Sequence, residues 1–107
     1  MQQITAPELA QWLGDAGRES PLLLDVREPG EFAIGHIAQA QLVPMRTIPA
    51  RFQDLNPEAQ IVCICHHGAR SYQVAMFLEH QGFSRVFNLS GGMHAWSTQV
   101  DPSIPTY

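Results

Sequence analysis

Apolar positions along this chain follow two rhythms. Leu22-Leu23-Leu24-Asp25-Val26, Ile61-Val62-Cys63-Ile64-Cys65 and Val86-Phe87-Asn88-Leu89 are short runs with little alternation, the pattern of strands covered on both faces, as in parallel sheets. Ile37 to Val43 supplies another short strand, stopped by Pro44. Between the runs the spacing turns helical. Thr5-Ala6-Pro7-Glu8 has the form of a capping box with proline in the first turn; Leu9, Trp12 and Leu13 continue one face, and Gly14 and Gly17 end it. Pro29-Gly30-Glu31-Phe32 begins a turn or short helix, and Ile48, Phe52 and Leu55 share a helical face broken at Asn56-Pro57. A helix from about Ser71 buries Val74, Ala75, Phe77 and Leu78 and stops at Gly82. Ser90-Gly91-Gly92 turns into a last helix around Met93 to Trp96, and Asp101 to Tyr107, with two prolines, reads as an extended or loose tail. Strands alternating with helices predict an α/β domain with a mainly parallel sheet.

Composition narrows the class. The 107 residues are 45% hydrophobic and 15% charged, which suits one domain burying roughly two-thirds of its unfolded surface and excludes disorder for most of the chain. No apolar run approaches the roughly 18 residues of a membrane span. The net charge is −4, and all six basic side chains are Arg. An acidic surface without Lys is a poor binder of phosphate backbones, so nucleic acid is not expected as a partner. The acidic excess lies in residues 1–60, whereas residues 61–100 carry Arg70 and Arg85 against Glu79, with His66, His67, His80 and His94. A site for a small anion therefore belongs to the second half. The opening residues lack the regions of a signal peptide, and two cysteines cannot frame a disulfide scaffold, so a reducing, cytoplasmic setting is expected.

Cys65 ends an apolar strand just before a loop that feeds a helix. In open α/β sheets that is where ligands bind, and a helix start offers unbonded N–H donors that favour an anionic sulfur. Gly68 gives the loop freedom to turn its amides inward, and Arg70 adds a planar cation suited to oxyanions. The layout fits a nucleophilic thiolate that meets an anionic substrate. An isolated Cys is more often a small apolar filler, but a filler needs neither Gly nor Arg beside it. Cys63, mid-strand, is expected in the core. Metal is not expected: one residue separates the cysteines instead of two to four, and the adjacent His66 and His67 should point in different directions. A Cys63–Cys65 disulfide is disfavoured by strand geometry.

Three motifs then stand in order: Asp25-Val26-Arg27 with Glu31-Phe32, Gly35-His36-Ile37 and Ala40; Cys65-His66-His67-Gly68-Ala69-Arg70-Ser71; and Gly91-Gly92-Met93-His94-Ala95-Trp96. With them the chain resembles the rhodanese family of sulfurtransferases, in particular its small single-domain thiosulfate sulfurtransferases, over about residues 4–97. The resemblance implies a single rhodanese domain over 1–107 with an extended tail from 98, and a mainly parallel sheet of about five strands flanked by helices on both faces. It implies no cofactor. It also implies a Cys65 persulfide, loaded from thiosulfate or another sulfane-sulfur donor and discharged to cyanide in an assay, or to a thiol or protein in the cell. The backbone of His66, His67, Gly68, Ala69 and Arg70 would then hold the sulfur, Arg70 with His67 would orient the sulfonate, and Ser71 would cap the helix or bond the sulfur, capping being the favoured role. Arg46 would either reach the pocket rim or lie solvated. Asp25, Arg27, His36, Gly91 and Gly92 would be structural supports, and Trp96 would pack in the core. Related phosphatases and arsenate reductases carry Cys-x5-Arg, whereas Cys65 and Arg70 enclose four residues, a cradle better sized for sulfur than for a phosphoryl group. A relay module loaded by a protein donor remains the alternative; a non-catalytic binding domain is disfavoured by Cys65.

Overall fold

The computed structural model describes residues 1–107. Strands β1 (Gln2–Ile4), β2 (Leu22–Asp25), β3 (Gln41–Leu42), β4 (Ile61–Ile64) and β5 (Val86–Leu89) form one sheet in the order β1-β5-β4-β2-β3, every pair parallel. Helices α1 (Ala6–Leu13), α2 (Pro29–Ile34), α3 (Ile48–Arg51), α4 (Ala69–His80) and α5 (Gly92–Gln99) provide the connections and covers.

The lack of alternation in β4 has a direct cause. Ile61, Cys63 and Cys65 enter one apolar core, with Val74, Ala75 and Leu78 of α4 and Ile48 of α3. Val62 and Ile64 enter a second core on the opposite face, with Leu9 and Trp12 of α1 and Met93 and Trp96 of α5. Because successive strand residues face opposite ways, a strand with a core on each side must be apolar throughout. Helix α1 starts as its sequence indicates: Glu8 N–H donates to Thr5 Oγ1 at 3.2 Å, and Thr5 N–H donates to Glu8 Oε1 at 2.9 Å. Such reciprocal capping stabilises a helix end by about 1 kcal/mol.

Four local features depart from the sequence pattern. β1 is not visible in it: of Gln2, Gln3 and Ile4 only Ile4 is buried, and the strand exists because it pairs with Phe87, Asn88 and Leu89 at the far end of the chain. The strand within 37–43 shrinks to the two residues of β3, at a sheet edge. The helix expected to run through Leu55 is four residues of α3 followed by a 3₁₀ turn over Phe52–Asp54. The tail over 101–107 has no helix or strand, but it is not loose. Ile104 packs toward the second core, and Tyr107 bonds to groups 76 and 80 residues earlier.

Candidate active site

Cys65 follows the central strand β4 directly, at the carboxyl edge of the sheet. Its Sγ accepts the Gly68 N–H at 3.1 Å and lies 3.2 Å from Ser71 Oγ. Of the loop amides expected to converge, Gly68 is the one at bonding distance. Its role depends on backbone: Gly68 has φ of +105°, and a Cβ there would crowd the Leu89 carbonyl and the Gly91 amide at 3.3 and 3.4 Å, so a side chain would be strained on both counts. Gly68 is also the N-cap of α4, whose first residue is Ala69. Ser71 is therefore already inside the helix and does not cap it, which corrects the favoured sequence reading; its hydroxyl faces the sulfur. Cys65 itself is 1% exposed, so its sulfur is closed to solvent in this arrangement.

Ser71 has a second neighbour. Its Oγ is 2.5 Å from Asn88 Oδ1, and Asn88 is held by Nδ2–H bonds to Gln3 Oε1 at 2.9 Å and to the Gly68 carbonyl at 3.1 Å. A serine hydroxyl has one hydrogen. With a thiol, S–H can donate to Ser71 while Ser71 donates to Asn88; with a thiolate or persulfide, the Ser71 hydrogen turns to sulfur. The sequence motifs leave Asn88 without a role, although a polar residue inside a doubly buried strand is the signal that marks it.

Arg70 meets Glu31. The guanidinium donates from Nη1 to Oε1 at 2.7 Å and from Nη2 to Oε2 at 2.9 Å. This pairing holds the Glu31 carboxyl down to about 2 and raises Arg70 further. Arg70 is thus not a free cation: part of its fork is already used, and the remaining N–H donors are what it can offer an anion. Tyr107 closes the arrangement, donating its phenol hydrogen to Glu31 Oε2 at 2.8 Å while accepting from Arg27 Nη1 at 3.1 Å. Burial raises the Tyr107 phenol and keeps it a donor. Arg27 in turn grips Asp25 through Nε to Oδ1 at 2.9 Å and Nη2 to Oδ2 at 2.7 Å, both side chains fully buried, and also reaches the Gly35 carbonyl at 2.9 Å. The Asp25–Arg27 brace is an ion pair, as its spacing suggests. Glu31 stands in the first sequence motif without a role of its own there, and nothing in the sequence marks Tyr107.

His66 and His67 do not diverge as their adjacency suggested. Their ring centroids are 3.9 Å apart, and His94 of α5 lies 5.3 Å from His67. The turn at Gly68 and the docking of α5 explain this: Met93 N–H donates to the Cys65 carbonyl at 2.8 Å, and His94 N–H to the His66 carbonyl at 3.0 Å. Gly92, with φ of +57°, allows that contact, since a Cβ there would overlap the Cys65 and His66 carbonyls; Gly91 before it also has positive φ. His66 stacks on Tyr107 at 3.9 Å, and burial lowers its ring pKa, His67 adding to the shift. These three rings are the side chains that could hold a metal. His36 is exposed, its Nδ1 2.9 Å from the Phe32 carbonyl and its ring stacked on Phe32. Arg46 is exposed and sits 3.7 Å from Glu28 at the surface. Cys63 is fully buried, and burial pushes its thiol up to about 12. Trp96 is buried in the second core.

Comparison with known proteins agrees with this architecture. A family model described as a rhodanese-like domain matches residues 5–99. A protein of Allochromatium vinosum named sulfurtransferase is 41% identical over 104 residues, covering 97% of this chain and 95% of the relative. The thiosulfate sulfurtransferase GlpE of Pseudomonas aeruginosa is 33% identical over 94 residues, covering 88% of this chain and 83% of the relative. Among solved structures, a rhodanese-like domain protein of Staphylococcus aureus superposes with a TM-score of 0.85 at 34% identity, over 100% of this chain and 99% of that one. The human single-domain sulfurtransferase TSTD1 gives a TM-score of 0.78 at 26% identity, over 92% of this chain and 97% of that one.

Proposed function

The chain belongs to the rhodanese-like family, and on that premise we propose that it is a sulfurtransferase moving the sulfane sulfur of thiosulfate to a thiophilic acceptor through a Cys65 persulfide. The observation that carries the reading is a sulfur at the end of the central strand, bonded by the Gly68 amide and faced by Ser71. These donors hold negative charge on sulfur without a general base.

In the first half-reaction the Cys65 thiolate attacks the outer sulfur of thiosulfate. A new S–S bond forms to Cys65, the S–S bond of thiosulfate breaks, and its electron pair leaves with sulfite. The negative charge passes to the terminal persulfide sulfur, next to the same donors. In the second, cyanide or an acceptor thiolate takes that terminal sulfur and the pair returns to Cys65. Arg70 orients the sulfonate with the donors left over from Glu31, His67 assists, and departing sulfite is stabilised by the same cation. Arg46 is exposed and lies beside Glu28, so its charge is solvated and partly balanced and is not assigned to holding the anion. Because Cys65 is closed to solvent, opening of the covering groups is part of each turnover. Both cysteines are free, which suits the reducing, cytoplasmic setting in which such a thiol is regenerated. No helix is long and apolar enough to cross a membrane.

Incubation with thiosulfate followed by mass spectrometry tests this. The expected result is one added sulfur atom, confined to the peptide that contains Cys65 and reversed by cyanide with release of thiocyanate. An unmodified Cys65, or sulfur found on Cys63, overturns it. Persulfide formation that requires a cysteine desulfurase and fails with thiosulfate assigns the chain to a protein-loaded relay instead.

A further inference from the structure

Three imidazoles gather where the loop after Cys65 meets the start of α5. His66, His67 and His94 each present a ring nitrogen, and these nitrogens lie within 4.8 Å of one another. Their backbones are fixed by the close approach at Gly92 and by the Met93 and His94 amides bonded to the Cys65 and His66 carbonyls. His66 Nε2 is buried and no group of the chain bonds it, so it is free to accept a ligand. The stack of Tyr107 on His66, at 3.9 Å and 11° between planes, holds that ring in place.

We propose that His66, His67 and His94 bind one borderline divalent cation of the zinc class, with three imidazole nitrogens as ligands and a fourth position open to water or a small anion. Imidazole suits such ions, and three protein ligands with one open position is an established zinc arrangement. With Zn–N bonds of about 2.0–2.1 Å, tetrahedral ligand nitrogens stand about 3.4 Å apart. Closing the present spread to that value requires rotation of His67 and His94, both exposed, against His66. Rotation also opens the present tilted stack of His66 and His67. Arg70 does not repel the cation strongly, because its charge is balanced by Glu31. The expectation of no metal rests on the cysteine spacing, which this site does not use, and on adjacent histidines pointing apart, which they do not. The site rests on the placement of these three rings; because His67 also stands beside the sulfonate in the proposed function, an ion held there would occupy it.

Titration of the full chain with Zn²⁺ alone, and with Co²⁺ as a spectroscopic probe, tests the proposal. Saturation at one ion per chain is expected. Outer partners of a metal site alone are worth about 10–100-fold in affinity, so His94→Ala and His67→Ala should each weaken binding by at least about tenfold. Cys65→Ser should leave it unchanged, and bound Co²⁺ should show ligand-field bands without sulfur-to-cobalt charge transfer. His94→Gln, checked for folding by circular dichroism, guards against a variant that fails through misfolding. Zinc affinity unaffected by the His94 substitutions, no saturable binding, or binding lost in Cys65→Ser with a charge-transfer band in the wild type would each overturn it, the last by assigning the ion to the thiolate.

Discussion

Cys63 and Cys65 lie two residues apart and face the same core, yet only one has polar neighbours. Burial raises the Cys63 thiol to about 12, so at neutral pH it is a protonated filler, whereas Cys65 meets the Gly68 N–H and the Ser71 hydroxyl. Cys65→Ser should abolish thiocyanate formation from thiosulfate and cyanide, and Cys63→Ala should keep most of it; equal loss from both would remove Cys65 from its assigned role. The arginines divide in the same way by environment. Arg27 and Asp25 are both sealed from solvent, and removing one partner leaves a buried charge unpaired, at a cost of about 3–5 kcal/mol. Arg46 and Glu28 are solvated at 3.7 Å, a class of pair worth about 0–1 kcal/mol. In urea unfolding Arg27→Ala should therefore be strongly destabilised and Arg46→Ala close to wild type. Spacing alone made the Asp25–Arg27 pair readable, because the two residues share one turn of chain.

At the scale of elements, the site depends on two junctions. The first is the start of α5, where Gly92 lets the helix backbone touch the loop after Cys65. Gly92→Ala combines a left-handed φ with overlap against two carbonyls, so it should cost at least about 1–3 kcal/mol. Gly17→Ala, in an exposed turn where an added Cβ would meet only the Asp15 side chain at 3.4 Å, should change stability by less than about 0.5 kcal/mol; chemical denaturation of the pair checks the contrast. The second junction is the segment 101–107, which the sequence presents as a loose tail. Prolines and the absence of an apolar stripe give that reading, but Tyr107 finds Arg27, Glu31 and His66 on the folded surface. Removal of residues 102–107 should speed alkylation of Cys65 by iodoacetamide, followed by mass spectrometry. An unchanged rate would show that other groups close the sulfur. β1 has the same history: three residues with one buried side chain become a strand only when β5 offers its edge.

For the molecule as a whole, the Glu31–Arg70 pair ties α2 to the start of α4 and gives stability a defined pH dependence. The Arg70 guanidinium holds the Glu31 carboxyl down to about 2 in the folded chain, against about 4.3 when unfolded. A carboxyl lowered by folding stabilises fully above its unfolded value, and that contribution disappears as pH falls toward the folded one. Melting temperature measured between pH 6 and 2 should fall more shallowly in Glu31→Gln than in wild type over the acid range; parallel curves would deny the pair a role in stability. What the sequence determined by itself was the layering: doubly apolar runs, helical stripes, and a cysteine placed where a strand feeds a loop. Hydrophobic burial is non-directional and scales with the apolar area of each residue, so residue type and order suffice to predict it. Only the tertiary structure decided which polar groups meet: Ser71 with Asn88 across 17 positions, Arg70 with Glu31 across 39, Arg27 with Tyr107 across 80. Hydrogen bonds demand distances within a few tenths of an ångström and narrow angles. Those conditions are set only when distant strands come into register and the helices dock upon them.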